Sequence, residues 1–527
     1  MMSEHCNDEA QHVGTPVLEQ VHDVPSVRIA SAGQQHLPAI LLRFLGDHFW
    51  LLLFGLCSEG FYLCYLVRQF PLVTHVQELA DMGYLSGYSH RGFLAFMLCF
   101  SALFGLFLLA WREATRHQQR ETLWLILGFG ATFALTNIFV YPINAVDMYG
   151  YIAESAELFY HHANPLIVAA SHYPNDPLIH VAVSFVGGPA PYGPLGIVID
   201  SIPTMVSGHN LLLNMLLLKA FFALFMLTEA YLLYQILLLV KPDLAIAGAL
   251  AFVWNPYVLL EYVANCHNDI VMMFFVLLAL YAVLKGHHTF ALFFILLSAF
   301  VKYSSLPLIP LFYVYSLTNQ ATIAQRLTYF WRAIVVFFGV ILILFAPFWA
   351  GSQTLASAFN TSQFRLFSFS MLLSDMGVGG SKYAGIVIFG MCYLYALWLV
   401  VRSKPDLILA CFLTMLALLA FAMDYVQAWY LLWPCLLAVL RPRLRISVTM
   451  VLLSYAATMI ELVHAYFWPW GAYQNASVYA IVNSVVYLVL FGPSIFLLVG
   501  CILNDRMMRW RRLSLSQSIW PWHAHIN

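Results

Sequence analysis

Residues Val140 to Leu195, VYPINAVDMYGYIAESAELFYHHANPLIVAASHYPNDPLIHVAVSFVGGPAPYGPL, form the longest polar interruption in a chain otherwise made of apolar runs. Asp147 sits just past the end of one such run, among Tyr141, Tyr149 and Tyr151. Glu154, Glu157, His161 and His162 follow, then an Asn164-Pro165 turn, Asp176, and a Gly/Pro-rich exit ending Tyr192-Gly193-Pro194-Leu195. An acid at a membrane edge is costly to keep. Followed by a loop dense in turn residues, it reads as the general base of a site facing the bilayer edge. The bland alternative is a cap for the helix YGYIAESAELFYHH.

Outward from this stretch, composition sets the class. The chain has 527 residues, 62% hydrophobic and 9% charged, with a mean hydropathy of +0.79. Soluble domains carry about 25% charged residues, so the fold class is an all-α polytopic membrane protein. A net charge of −1, with no basic tract, argues against nucleic acid as a partner. The nine cysteines form no CxxC pair and lie mostly in apolar runs, as buried free thiols do.

A span needs roughly 20 apolar residues. Candidate spans are 48–67, 92–111, 122–142, 211–240, 244–262, 270–284, 288–301, 304–318, 333–350, 384–402, 406–423, 426–440, 446–464 and 477–503. The expected total is about 14, within 12–15. With the N-terminus inside, 18 of the 24 Lys and Arg fall on the cytoplasmic side, whereas Arg68, Arg91, Lys302, Arg365 and Lys382 fall outside. Both termini are then cytoplasmic, and residues 194–208 stay in the outer loop as a short surface or re-entrant helix.

The expected domains are a disordered cytoplasmic tail (1–45), two N-terminal spans (46–121), a catalytic membrane module (122–440, external loop 143–210), C-terminal spans (441–503) and a basic cytoplasmic tail (504–527). The first 36 residues lack a basic n-region and an apolar h-region, so the first span is expected to act as the uncleaved insertion signal.

This topology puts several polar clusters on the outer face. His267-Asn268-Asp269 could hold sugar hydroxyls, a phosphate or a metal; its bland reading is a cap for the next span. Lys302 could pair with a phosphate at headgroup level or simply snorkel, and Arg365 shares that ambiguity. Trp429 and Tyr430 are more often belt residues than sugar platforms. The histidines of the first loop have no zincin-like spacing, and Asp147 is followed by Met148 and Tyr149 rather than by a second acid of a DxD pair. No metal ligand is therefore assigned, and a divalent cofactor finds no support in such a pair.

The ordered set Asp147-Met148-Tyr149-Gly150-Tyr151, Asn164-Pro165, Tyr192-Gly193-Pro194-Leu195, Asn255-Pro256, His267-Asn268-Asp269, Val301-Lys302-Tyr303 and Trp429-Tyr430-Leu431-Leu432-Trp433 resembles the GT-C superfamily of integral-membrane glycosyltransferases. More narrowly it is similar to bacterial polyprenol-phosphate-mannose-dependent mannosyltransferases, over roughly Leu123 to Leu440. The resemblance implies a large first external loop bearing a catalytic aspartate, matching Asp147, and a second outer acid, matching Asp269. Tyr149, Tyr192, His267, Asn268, Lys302, Arg365, Trp429 and Tyr430 are the accompanying substrate-binding candidates. Two departures stand out. Two spans, 48–67 and 92–111, precede the span 122–142 that leads into the loop, where many relatives have only one span before the loop, and Cys266 stands where relatives often have glycine.

Nucleotide sugars are made in the cytoplasm and are too polar to cross a bilayer. A transferase with outer-face carboxylates therefore needs a donor delivered through the membrane, which a polyprenyl-phosphate sugar satisfies. The expectation is an inverting transferase moving a hexose, mannose above all, to a glycolipid or envelope glycan on the outer face of the plasma (inner) membrane. The alternative is a transporter or flippase of lipid-linked sugars, which calls for ionisable residues near mid-membrane and repeated halves.

Overall fold

The structure is a computed structural model. It describes residues 46–354, 365–403, 405–441, 444–467, 469–471, 475, 478–496 and 499. Both expected tails, 1–45 and 504–527, lie outside the described residues. The chain divides into two compact units, 1–49 and 50–527, and the second carries every residue of the candidate site. It is all-helical, with isolated bridges and no strand among the described residues.

Among the described residues, eight helices are long and apolar enough to cross a membrane: Phe49–Val67, His90–Ala114, Arg120–Ile138, Leu211–Val240, Ile323–Phe348, Ser381–Val401, Arg445–Phe467 and Val478–Phe496. A ninth arises if Pro242–Val253 and Pro256–Ala264, bent by 44°, form one span. The expected count of about 14 is thus not reached by length. The remaining apolar runs do form helices, but Asp269–Leu284, His288–Val301, Leu308–Thr318, Leu407–Ala422 and Ala428–Val439 have only 10–17 residues. At 1.5 Å per residue these reach roughly 15–25 Å, less than a hydrocarbon core of about 30 Å. Asp269–Leu284 buries most of its residues against its neighbours. A helix packed in this way is held largely by protein, and hydropathy alone counts it as the equal of the long ones.

The bend in the 242–264 segment has a local cause. Pro256 lacks an amide hydrogen, so the helix stops at Trp254 and restarts. Asn255 caps the restart, accepting from Tyr257 N at 3.1 Å and donating to Ser454 Oγ at 3.1 Å. The restarted helix widens into a π-helical turn at Leu259–Ala264 and ends at His267-Asn268-Asp269. Pro194 likewise opens the helix Pro194–Ser207 at its first position.

The loop between Ile138 and Leu211 is ordered by its own side chains. Asn164 makes an Asx turn onto Leu166 N (3.1 Å) and donates to Phe348 O (2.7 Å). His161 pairs with Asp176 at 2.8 Å and stacks on Tyr173 with ring centroids 3.8 Å apart. Its core is the helix Asp147–Phe159, which buries all of Met148 to Glu157.

Candidate active site

Asp147 begins the helix Asp147–Phe159, where the unsatisfied amides of the first turn favour a carboxylate. Its side chain is 18% exposed, whereas its polar neighbours are almost wholly buried. Burial raises the Asp147 carboxyl above the usual carboxylate range; His267 and Lys302 pull it down, and Asp269 and Glu261 push it up. It is an acid held ready to take a proton.

Opposite it stands the turn Asn265–Asp269. Asn265 donates to Glu261 Oε2 (2.9 Å) and accepts from Asn144 N (3.4 Å), tying this turn to the loop three residues before Asp147. His267 Nε2 lies 3.8 Å from Asp147 Oδ2. Its Nδ1 faces Glu261 O at 3.0 Å and Glu261 Oε2 at 3.2 Å. The imidazole stacks on Trp429, centroids 4.2 Å apart and planes 16° from parallel. Asn268 donates to Asp200 Oδ2 at 3.0 Å.

Asp269 is engaged on both oxygens. Lys302 Nζ sits 2.8 Å from Oδ2, and Trp433 Nε1 donates to Oδ1 at 2.6 Å. The ammonium also lies 4.9 Å from the Tyr430 ring centroid, 5.7 Å from Tyr192 and 5.9 Å from Trp433. Tyr192 packs edge-on against Tyr151. One cation is thus walled by three aromatic rings and anchored by one carboxylate. Such a cage can hold a further anion, since an aromatic wall attracts the cation without neutralising it.

Seven of the ten residues singled out from sequence therefore converge with Asp147: Tyr192, His267, Asn268, Asp269, Lys302, Trp429 and Tyr430. Two lie elsewhere. Tyr149 turns away, its hydroxyl donating to Val76 O at 3.1 Å. Arg365 is exposed and acts electrostatically on Asp424. That acid is itself paired with Lys382 at 3.0 Å. Burial raises the Asp424 carboxyl, but Ser370, Lys382 and Arg365 outweigh burial and hold it below its usual range.

The structure adds residues the sequence reading left aside. Glu261, an acid inside an apolar run, is fully buried behind His267. Tyr151 is one helical turn beyond Asp147, and Asp200 is the one acid of the helix Pro194–Ser207. Lys219 is buried and donates to Val140 O and Ala264 O. It thereby pins the two points at which the chain departs toward Asp147 and toward His267.

Glycines set the spacing. Gly193 N donates to Val301 O at 3.0 Å, and a Cβ on Gly193 would fall inside the Phe300 carbonyl. Only glycine lets Tyr192 approach Lys302 this closely. Cys266, by contrast, holds a left-handed φ of 64°, a conformation that favours glycine.

Among the described residues no three His, Cys, Asp or Glu side chains converge as metal ligands. Asp269 is already committed to Lys302 and Trp433.

A multi-pass helical membrane protein with a carboxylate-centred site assembled from loop ends is the class defined so far. Residues 65–318, just under half of the chain, match the MptA_B family, described as Alpha-(1->6)-mannopyranosyltransferase, N-terminal domain, a match to the GT-C mannosyltransferases. The matched segment carries Asp147, Tyr192, His267–Asp269 and Lys302. It supports glycosyl transfer, with a sugar donor and a glycan acceptor in a membrane. Comparison with curated proteins gives no match.

Proposed function

We propose that the protein is an inverting mannosyltransferase that takes mannose from a polyprenyl-phosphate donor and delivers it to a glycolipid or envelope glycan on the outer face of the plasma membrane. The observation that carries this reading is the presence in one site of a partly accessible carboxylate, Asp147, and a caged cation, Lys302, that acts electrostatically on it. Asp147 takes the proton of the acceptor hydroxyl. The hydroxyl oxygen attacks the anomeric carbon from the face opposite the phosphate, and the carbon–phosphate oxygen bond breaks. The leaving phosphate gains a full negative charge, which the Lys302 ammonium is placed to meet. A fixed charge that need not reorganise supplies much of such a catalytic effect. One displacement inverts the anomeric configuration without a covalent intermediate.

The test is transfer of labelled mannose from a short-chain polyprenyl phosphate to a membrane acceptor by purified protein in detergent. Transfer with inversion supports the reading. Movement of the lipid between leaflets without transfer overturns it in favour of a flippase. Sidedness is read separately: a cysteine at Asn175, exposed in the first large loop, should label from outside, and one at Ala321 should not. The reverse pattern removes the outer-face assignment.

A further inference from the structure

We infer that His267, backed by Glu261, is a proton relay that takes the acceptor's proton from Asp147 and holds it while product is still bound, so that Asp147 stays anionic until the site opens to water. The inference rests on the reading of Asp147 as the general base.

The tautomer follows from the partners of the ring. Nδ1 faces two oxygen acceptors, Glu261 O at 3.0 Å and Oε2 at 3.2 Å, so Nδ1 carries the hydrogen. In the neutral imidazole Nε2 then bears a lone pair. That nitrogen is buried, makes no hydrogen bond among the described residues, and points toward Asp147 Oδ2 at 3.8 Å. The distance is a little long for a hydrogen bond, and apo sites commonly tighten when substrate binds.

Each feature of the surroundings serves a ring that acquires charge. Glu261 is fully buried and puts an anion behind Nδ1. Asn265 fixes that carboxylate at 2.9 Å through Oε2. Trp429 lies flat against the imidazole, a face that favours an imidazolium. The charged groups facing His267 are Asp147 from the helix Asp147–Phe159 and Glu261 from the π-helical turn. Lys302 and Asp269 both act on Asp147.

The step balances. When the acceptor oxygen attacks, its O–H bond breaks and the proton forms an O–H bond on Asp147. That bond then breaks as the Nε2 lone pair takes the proton, leaving Asp147 anionic and His267 an imidazolium beside Glu261. Once product has left, the proton passes back from Nε2 to Asp147, whose side chain is partly exposed, and from there to water, and the ring returns to its Nδ1–H form. No oxidant, metal or second reactant is needed. His267 acts through Asp147, so it is a positioning and relay residue for the reaction.

The experiment uses the full-length protein and the mannose transfer assay. His267→Ala leaves an imidazole-sized gap between Trp429 and Glu261 and should lower steady-state turnover by about 100-fold, the low end for acid–base participation. Free imidazole should restore a substantial part of it. 1-Methylimidazole, which has no N–H for Glu261, should restore much less. Absence of rescue by imidazole in a folded protein, or equal rescue by both, overturns the proposal.

A second variant covers failure to fold. His267→Asn keeps an amide donor toward Glu261 but has no base at the Nε2 position. The acid limb of kcat/KM in the parent should be steep, because two groups must be proton-free; in His267→Asn it should become a single ionisation, with the donor KM little changed. An unchanged limb overturns the relay. If Asp147→Asn itself transfers normally, the base assignment has failed; if it is inactive but these tests fail, only the relay has.

Discussion

Lys302 Nζ and Asp269 Oδ2 are 2.8 Å apart, and neither side chain is more than about a tenth exposed. The pair sits where two helices break, and Trp433 completes it from 164 residues further along. A buried pair of this kind is weak evidence for net stability, yet removal of one partner leaves an uncompensated buried charge. It orients a cation, and in doing so it fixes where an anionic leaving group can settle.

Single changes to this pair should therefore cost more than the double change. Lys302→Gln or Asp269→Asn alone should destabilise the protein by about 3–5 kcal/mol or force a change of protonation, while Lys302→Gln with Asp269→Asn should recover part of that loss. Thermal unfolding in detergent measures it. Transfer should be lost in all three, and Lys302→Arg should keep part of it because the charge survives. Additive stability losses would show that the two side chains are not coupled.

Asp147→Asn keeps shape and most hydrogen bonding but cannot accept a proton. Folding and donor binding should persist while transfer falls at least ~100-fold. Wild-type-like transfer would remove the base assignment.

The pH dependence has a definite sign. Burial raises the Asp147 carboxyl, so it loses its charge at higher pH than a free aspartate, whose value is about 3.9. Transfer requires the carboxylate. On acidification kcat/KM should start to fall while ordinary surface carboxylates are still ionised. A pH–rate profile flat down to pH 4 would contradict the burial of this group.

Gly193→Ala tests spacing rather than chemistry. The new methyl meets the Phe300 carbonyl, and backbone cannot give way as a side-chain tip can. The Tyr192 ring should be displaced from Lys302, and a misplacement of about 1 Å costs on the order of 100-fold in rate. Transfer should drop with the protein still folded. Unaffected transfer would mean the Tyr192–Lys302 approach is dispensable.

Cys266 offers a comparison at one position. Cys266→Gly and Cys266→Ala both remove the thiol, but only glycine relieves a φ of 64°. The glycine variant should be more stable than the alanine variant by about 1 kcal/mol. Equal stability would indicate that the turn relaxes.

The sequence made the carboxylate of the first loop and the outer clusters legible because charge is scarce in an apolar chain. His267-Asn268-Asp269 and Lys302 each stand out at the end of an apolar run. What it could not supply was direction. Tyr149 and Tyr151 are two residues apart in one motif, yet a helix turns consecutive side chains by about 100°, so one faces Val76 and the other Tyr192. Glu261 and Lys219 were visible as polar residues in apolar runs, but their partners are reached only through tertiary packing. The short apolar helices show a related limit: hydropathy cannot separate a helix wrapped by protein from one wrapped by lipid.

The placement of Trp433 also bears on biogenesis. A membrane protein is threaded into the bilayer from its N-terminus, so contacts become available in the order of the chain. Asp269 meets Lys302 after 33 residues but waits 164 for the indole of Trp433. The carboxylate is thus neutralised early, by the partner that meets most of its electrostatic cost, while Tyr430 and Trp433, two of the three rings around that cation, arrive last. During synthesis the nascent chain is protected from an isolated charge long before it can bind anything.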